Sequence, residues 1–221
     1  MTPTSLHFSP QRLLTTLTLA ITLGSSLTAC FPVVMGGAML GGGLVATDRR
    51  TSGTQLEDEG IELRAASRVR ENLGDRVHVN VNSYNRRVLL SGEVPSEQDK
   101  QLVEQVVSRV ENVQLVVNEL AVLGNATLTQ RSSDTLVTGK VKAGLVDAKD
   151  LFSNSFKVIT ERGIVYLMGR VTQREADRAT DITRTTSGVQ KVVRVFEIIS
   201  EDELRNMLPQ PAPEAKATPV K

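Results

Sequence analysis

Few residues of this chain could carry chemistry. Its 221 residues include one Cys, two His and no Trp. A nucleophilic or acid–base centre needs a titratable group held beside a partner. The candidates are Cys30, His7, His78, the acids Glu57, Asp58, Glu59 and Glu62, and the pair Arg86-Arg87. His78 stands between Val77 and Val79, at a polar position of an alternating stretch, and reads as a solvated strand residue rather than a base. The four acids fall before or within the first turns of a helical stretch, where carboxylates favour the N-terminal dipole. A solvated face accounts for them better than a metal site. Arg86-Arg87 falls in a polar turn. The run from Gly36 to Gly43 lacks the Gly-Lys-Ser/Thr ending of a phosphate loop. One Cys excludes an internal disulfide framework and a Cys-rich zinc site. The expectation is a non-enzyme with no catalytic residue, no metal and no cofactor.

That leaves Cys30 as a point of modification. Arg12 precedes an apolar run, Leu13 to Leu23, which Gly24, Ser25 and Ser26 interrupt. The run is too short for a spanning helix, which needs ~20 residues, and has the length of a secretory h-region. It leads into Leu27-Thr28-Ala29-Cys30, which resembles the bacterial lipobox: an aliphatic residue, two small ones, then Cys. Residues 1–29 are thus expected to be a lipoprotein signal peptide, and Cys30 to carry S-diacylglycerol and an N-acyl chain. The alternative is an ordinary signal peptide with an unrelated Cys nearby. Several acyl chains, at ~0.8 kcal/mol per buried methylene, make such an anchor effectively permanent. Phe31, where inner-membrane lipoproteins commonly carry Asp, favours the outer membrane by analogy. His7 leaves with the signal. So does Arg12, and the remaining Lys+Arg then equal the 25 Asp+Glu. That balance argues against a general nucleic-acid binder.

Residues 30–54 hold the lipidated Cys and a Gly-rich stretch that reads as a tether; a short membrane-packed helix is the weaker alternative. Residues 201–221 end in PQPAPEAKATPVK and are expected to be largely disordered. Between these lies an internal repeat. VLLSGEVPSEQDK from Val88 aligns with VYLMGRVTQREAD from Val165, and NVQLVVN from Asn112 aligns with GVQKVVR from Gly188. Upstream, Val69 to Leu73 pairs with Val141 to Leu145. Val77, Val79 and Val81 alternate with polar residues as in a half-buried strand. Ser96, with Asp99 three residues on, has the form of a helix N-cap. The expected class is α+β: two tandem small sandwiches of order α-β-β-α-β, at 55–123 and 127–200. In each, two helices pack on a three-stranded mixed sheet.

Gly92/Val94 with Asn112-Val113, Val116 and Asn118 in the first copy, and Gly169/Val171 with Gly188-Val189, Val192 and Arg194 in the second, are similar to the BON-domain pattern. Two such units behind a lipobox resemble the dual-BON lipoproteins of Gram-negative bacteria. The resemblance covers about residues 60–200. It implies a periplasm-facing outer-membrane protein that supports envelope integrity and contacts anionic, phosphatidylglycerol-like phospholipid through its second domain.

Within that second domain, one helix has the composition for such contact. Val137, Val141, Leu145 and Ala148 share a face that should meet the sheet. Leu136, Gly139, Ala143 and Val146 occupy a different strip, bordered by Lys140 on one side and by Lys142 and Lys149 on the other. Aliphatics entering the headgroup boundary between ammonium groups are what an interfacial helix needs. The expected lipid-binding residues are Leu136, Lys140, Lys142, Ala143, Val146 and Lys149. The competing reading packs Leu136 and Val146 against the first domain or Phe152. A second hypothesis makes the protein a scaffold for an outer-membrane assembly or cell-wall remodelling factor, docked through a sheet face or edge strand.

Overall fold

Helices start in this chain where a hydroxyl can accept an orphan N–H of the first turn. Thr51 caps α1 (Ser52–Leu73) by accepting from Thr54 N, and Ser96 caps α2 (Glu97–Ser108) by accepting from Asp99 N. Thr127 with Gln130 forms a capping box at the head of α3 (Leu128–Asp147), and Thr172 with Glu175 forms another at α4 (Gln173–Arg184). The box at Thr127 fixes the start of α3 at Leu128. The structure, a computed structural model, describes residues 48–124 and 126–207. The signal segment, Cys30, the glycine-rich stretch through residue 47 and the tail from residue 208 lie outside the described residues.

The first domain pairs β1 (His78–Tyr84) antiparallel to β2 (Arg87–Val94), with β3 (Leu115–Asn118) and β4 (Ala121–Val122) parallel to β2 on its other side. The single closing strand expected in a three-stranded sheet is split at Glu119-Leu120, where Leu120 turns into the core at 2% exposure. The second domain repeats the plan with β5 (Phe156–Glu161) antiparallel to β6 (Ile164–Thr172), and β7 (Lys191–Ile199) parallel to β6 without a break. Each domain thus follows the α-β-β-α-β plan with both helices on one face of a mixed sheet, which has four strands in the first domain, where the closing strand is in two pieces, and three in the second. Ile61, Ala65, Val69, Val88, Leu90, Val103 and Val107 form the first core. Val137, Val141, Leu145, Val165, Leu167, Ala176 and Ala179 form the second.

Successive strand residues point to opposite faces, so Leu89, Tyr166 and Met168 face away from the helices. They meet each other. Tyr84 and Leu89 of the first domain pack with Tyr166, Met168 and Val195 of the second in one buried cluster. The sheet faces left over by the helices are thus closed on one another, which is why even Ser91 and Glu93 on β2 are fully buried.

Two limits drawn from composition shift. The stretch before α1 is not tether throughout, because Arg49 and Arg50 already make buried ion pairs. At the other end, residues 201–207 are ordered as a short helix, α5 (Glu201–Met207), with Leu204 buried.

Candidate functional site

The acids grouped at the start of α1 are not simply a solvated, dipole-favouring face. Asp58 is 2% exposed, and its carboxylate accepts from Ser83 Oγ and from the backbone N–H groups of Asn85 and Arg86. Those two residues are the corner of the β1–β2 hairpin, with φ of 51° and 64°. Positive φ at both central residues is what a tight hairpin turn requires. Asp134 does the same in the second domain, accepting from Arg162 N and Gly163 N at 2.8 Å each, where φ is 51° and 74°. One acid on the first helix therefore ties down the hairpin turn in both copies. It also corrects the repeat alignment. Asp58 matches Asp134, Ile61 matches Val137 and Val69 matches Leu145, so the pairing of Val69–Leu73 with Val141–Leu145 is one helical turn out. A slip of four residues keeps the same face buried, which is why periodicity alone misplaces it.

His78 likewise departs from the solvated reading: its Nδ1 lies 2.9 Å from Glu93 Oε2. Glu93 is fully buried and also accepts from Arg162 Nε at 2.7 Å, across the domain seam. Burial raises its carboxyl, but the hydrogen bonds from Arg162 and His78 outweigh that and hold it below its ordinary value. Glu161, beside this cluster and bonded to Asn80, goes the other way, raised chiefly by burial. The group is closed and internally paired. Among the described residues no set of three or more His, Cys, Asp or Glu is placed to hold a metal ion.

The exposed face of α3 is different, because its side chains are not occupied. Val137, Val141 and Leu145 are buried on the sheet, while Leu136 and Val146 are 68% and 65% exposed. Gly139, Lys140, Lys142 and Ala143 are exposed with them; Lys149 is exposed too, but α3 ends at Asp147 with Ala148 extended, so helical spacing does not place Lys149 on this strip. Such exposure rules out packing of Leu136 and Val146 against the first domain or Phe152, itself 43% exposed. Salt bridges tie up arginines across the molecule, yet among the described residues no carboxylate pairs with Lys140, Lys142 or Lys149. In the register fixed by the two aspartates, the first domain offers Gly60, Leu63, Arg64, Ser67 and Arg70 on the matching strip. There Arg64 is engaged by Glu57 at 2.6 Å. Helix α1 carries five acidic and three basic residues against two and three on α3, where Asp134 is turned into the hairpin. Of these two helices, α3 is therefore the one without an excess of acid. No helix among the described residues is long and apolar enough to cross a membrane.

A helix, a hairpin tied to it by an aspartate, a second helix and a parallel closing strand, present twice, define the class: a tandem pair of small α+β modules. The BON domain family model matches residues 61–124 and 133–200, and the chain belongs to that family. It is 39% identical over 185 residues to the outer membrane lipoprotein DolP of Haemophilus influenzae, covering 82% of this chain and 95% of that one. It is 31% identical over 154 residues to a 21 kDa hemolysin of Actinobacillus pleuropneumoniae, covering 69% and 79%. The osmotically-inducible protein Y of Escherichia coli is 28% identical over 197 residues, covering 87% and 96%. The chain is a dual-BON outer-membrane lipoprotein of the DolP type, a class of Gram-negative bacteria. The hairpin-capping aspartates were the residues that sequence reasoning missed. Their signal was present as an acid 27 to 29 residues before each hairpin corner, on a buried helical position.

Proposed function

We propose that this lipoprotein is held by acyl chains on Cys30 with its domains in the periplasm, and that it binds anionic phospholipid through the exposed face of α3. In this reading it supports envelope integrity by binding, without catalysis. The observation that carries the proposal is the exposure of Leu136 and Val146 between lysines that have no carboxylate partner among the described residues. Each lysine near an anionic surface contributes ~1 kcal/mol, fading within a Debye length of ~8–10 Å. Burial of an aliphatic side chain adds ~1.5–3 kcal/mol at most. The sum is modest, and the anchor makes it effective by raising the local concentration. The scaffold alternative loses one of its two surfaces, since the free sheet faces are packed together.

The test uses residues 30–221 with Cys30→Ser, so that no acyl chain binds the vesicle by itself. This protein should co-sediment with phosphatidylglycerol-containing vesicles, less so as salt is raised, and poorly with phosphatidylcholine alone. Leu136→Glu should remove most of that binding without changing thermal unfolding. Leu63→Glu, at an equally exposed α1 leucine, should leave it intact. Undiminished binding by folded Leu136→Glu would reject the α3 face as the lipid site.

A further inference from the structure

The two arginines that precede α1 point into different domains. Arg50 stays with the first: its Nη1 donates to Asp58 Oδ2 at 2.9 Å, and its guanidinium lies 4.2 Å from the centre of the Tyr84 ring. Arg49 crosses to the second. Its Nη1 and Nη2 donate to Glu175 Oε2 and Oε1 at 2.7 Å each, and Nη1 also donates to the Arg170 carbonyl at 2.9 Å. Both side chains of this pair are buried, at 5% and 1% exposure. A bidentate guanidinium–carboxylate fork fixes direction as well as distance. Burial raises the Glu175 carboxyl, but the bonds from Arg49 and from the Thr172 N–H hold it below its ordinary value.

This fork lies beside the proposed lipid face. Arg174 and Arg178, flanking Glu175 on α4, reach the Asp150 carbonyl and carboxylate just beyond the end of α3. Asp48, the residue before the fork, lines a groove of about 500 Å³ together with Lys142 and Val146. We infer that the Arg49–Glu175 pair is an orienting clamp: it fixes the point where the membrane tether joins the folded unit beside the C-terminal half of α3, and so turns the lysine-flanked face toward the bilayer. This inference rests on the phospholipid reading above. Between Cys30 and Asp48 the chain can span at most ~3.3–3.6 Å per residue. An anchor at Cys30 concentrates the domains at the membrane. The face they present comes from where the tether is pinned. Without the fork the pivot passes to Arg50, held by Asp58 and the Tyr84 ring of the first domain just ahead of α1, where Glu57 and Glu59 follow within two turns.

Arg49 is thus a positioning residue, and its test compares anchored and unanchored protein. A fluorophore is placed on Gly139→Cys, where a new side chain meets nothing within 4 Å. The vesicles are phosphatidylethanolamine with a minority of phosphatidylglycerol, doped with a lipid-phase quencher. Arg49→Met is combined with Glu175→Gln, so that no buried carboxylate is left alone. In the lipidated full-length protein the label should be quenched, and the double variant should lose about twofold or more of that quenching. In residues 30–221 with Cys30→Ser, the same double change should leave vesicle co-sedimentation unchanged, which a merely structural role would not. Arg49→Lys, keeping charge but losing the fork, should fall between. Unchanged quenching in the anchored double variant would overturn the clamp while leaving lipid binding by α3 intact. An unquenched label in the anchored wild type would overturn both. Should the double variant melt early, Arg49→Lys decides alone: quenching equal to wild type overturns the clamp.

Discussion

Asp58 and Asp134 hold their hairpins by accepting backbone N–H groups, and hydrogen bonds of this kind to a charged group contribute ~1.5–3 kcal/mol each. Asp58 carries a further consequence for pH. Its carboxyl, like those of Glu93 and Glu175, is held below its ordinary value although burial opposes this. Such groups bind fewer protons folded than unfolded, so their stabilisation is present at neutral pH and is lost as pH falls through the depressed values. Glu161 is the exception. Burial raises its carboxyl, with Glu93 and Asp134 adding to the rise against the Asn80 amide and His78. A raised carboxyl takes up protons on folding, so it costs stability as pH climbs from glutamate's ordinary value through the raised one. Glu161→Gln, which keeps an acceptor for Asn80, should therefore raise the denaturation midpoint near pH 7 and change it little near pH 4. An equal gain at both would contradict that sign. At this scale the sequence showed the lysines and leucines of α3 directly, because solvent exposure follows from helical spacing. It hid Asp58 and His78, whose partners Asn85, Arg86 and Glu93 are brought close only by the hairpin.

The hairpins also explain the paired glycines. Gly92 and Gly169 sit at matching strand positions, as the repeat indicated, and each is crowded from the neighbouring strand. A Cβ on Gly92 would lie 2.2 Å from the His78 carbonyl oxygen, and one on Gly169 would lie 2.5 Å from that of Ser155. The crowding is from backbone across the hairpin. Gly92 adds a φ of 111°, which other residues rarely adopt, whereas Gly169 has no such constraint. Gly92→Ala should thus cost more than Gly169→Ala, with overpacking alone worth about 1–3 kcal/mol in each. Chemical denaturation in which Gly169→Ala is the worse variant would refute this account. Asn112 illustrates the converse. It replaces the Gly188 of the second copy and takes φ of 67°, a left-handed conformation that Asn tolerates. The element order was legible because strand and helix periods differ. The starts of α1 and α3 were not, since Thr51 and Thr127 sit among residues without apolar periodicity.

On the scale of the whole molecule, the packing of one sheet on the other was not legible. Tyr84, Leu89, Tyr166 and Met168 are apolar enough to be buried, but the short apolar runs Val88–Leu90 and Ile164–Met168 name no partner. Their closure leaves the helices as the outward surfaces of both domains, and only α3 combines exposed aliphatics with lysines not paired to carboxylates among the described residues. The most direct measurement of the central claim is a map of amide NMR shifts, made on residues 30–221 with Cys30→Ser as phosphatidylglycerol-containing nanodiscs are added. Shifts and broadening should centre on Leu136 to Lys149 and extend toward Phe152, with α1 unaffected. Perturbation centred on α1 or on the strand edges, or none at saturating lipid, would contradict the claim.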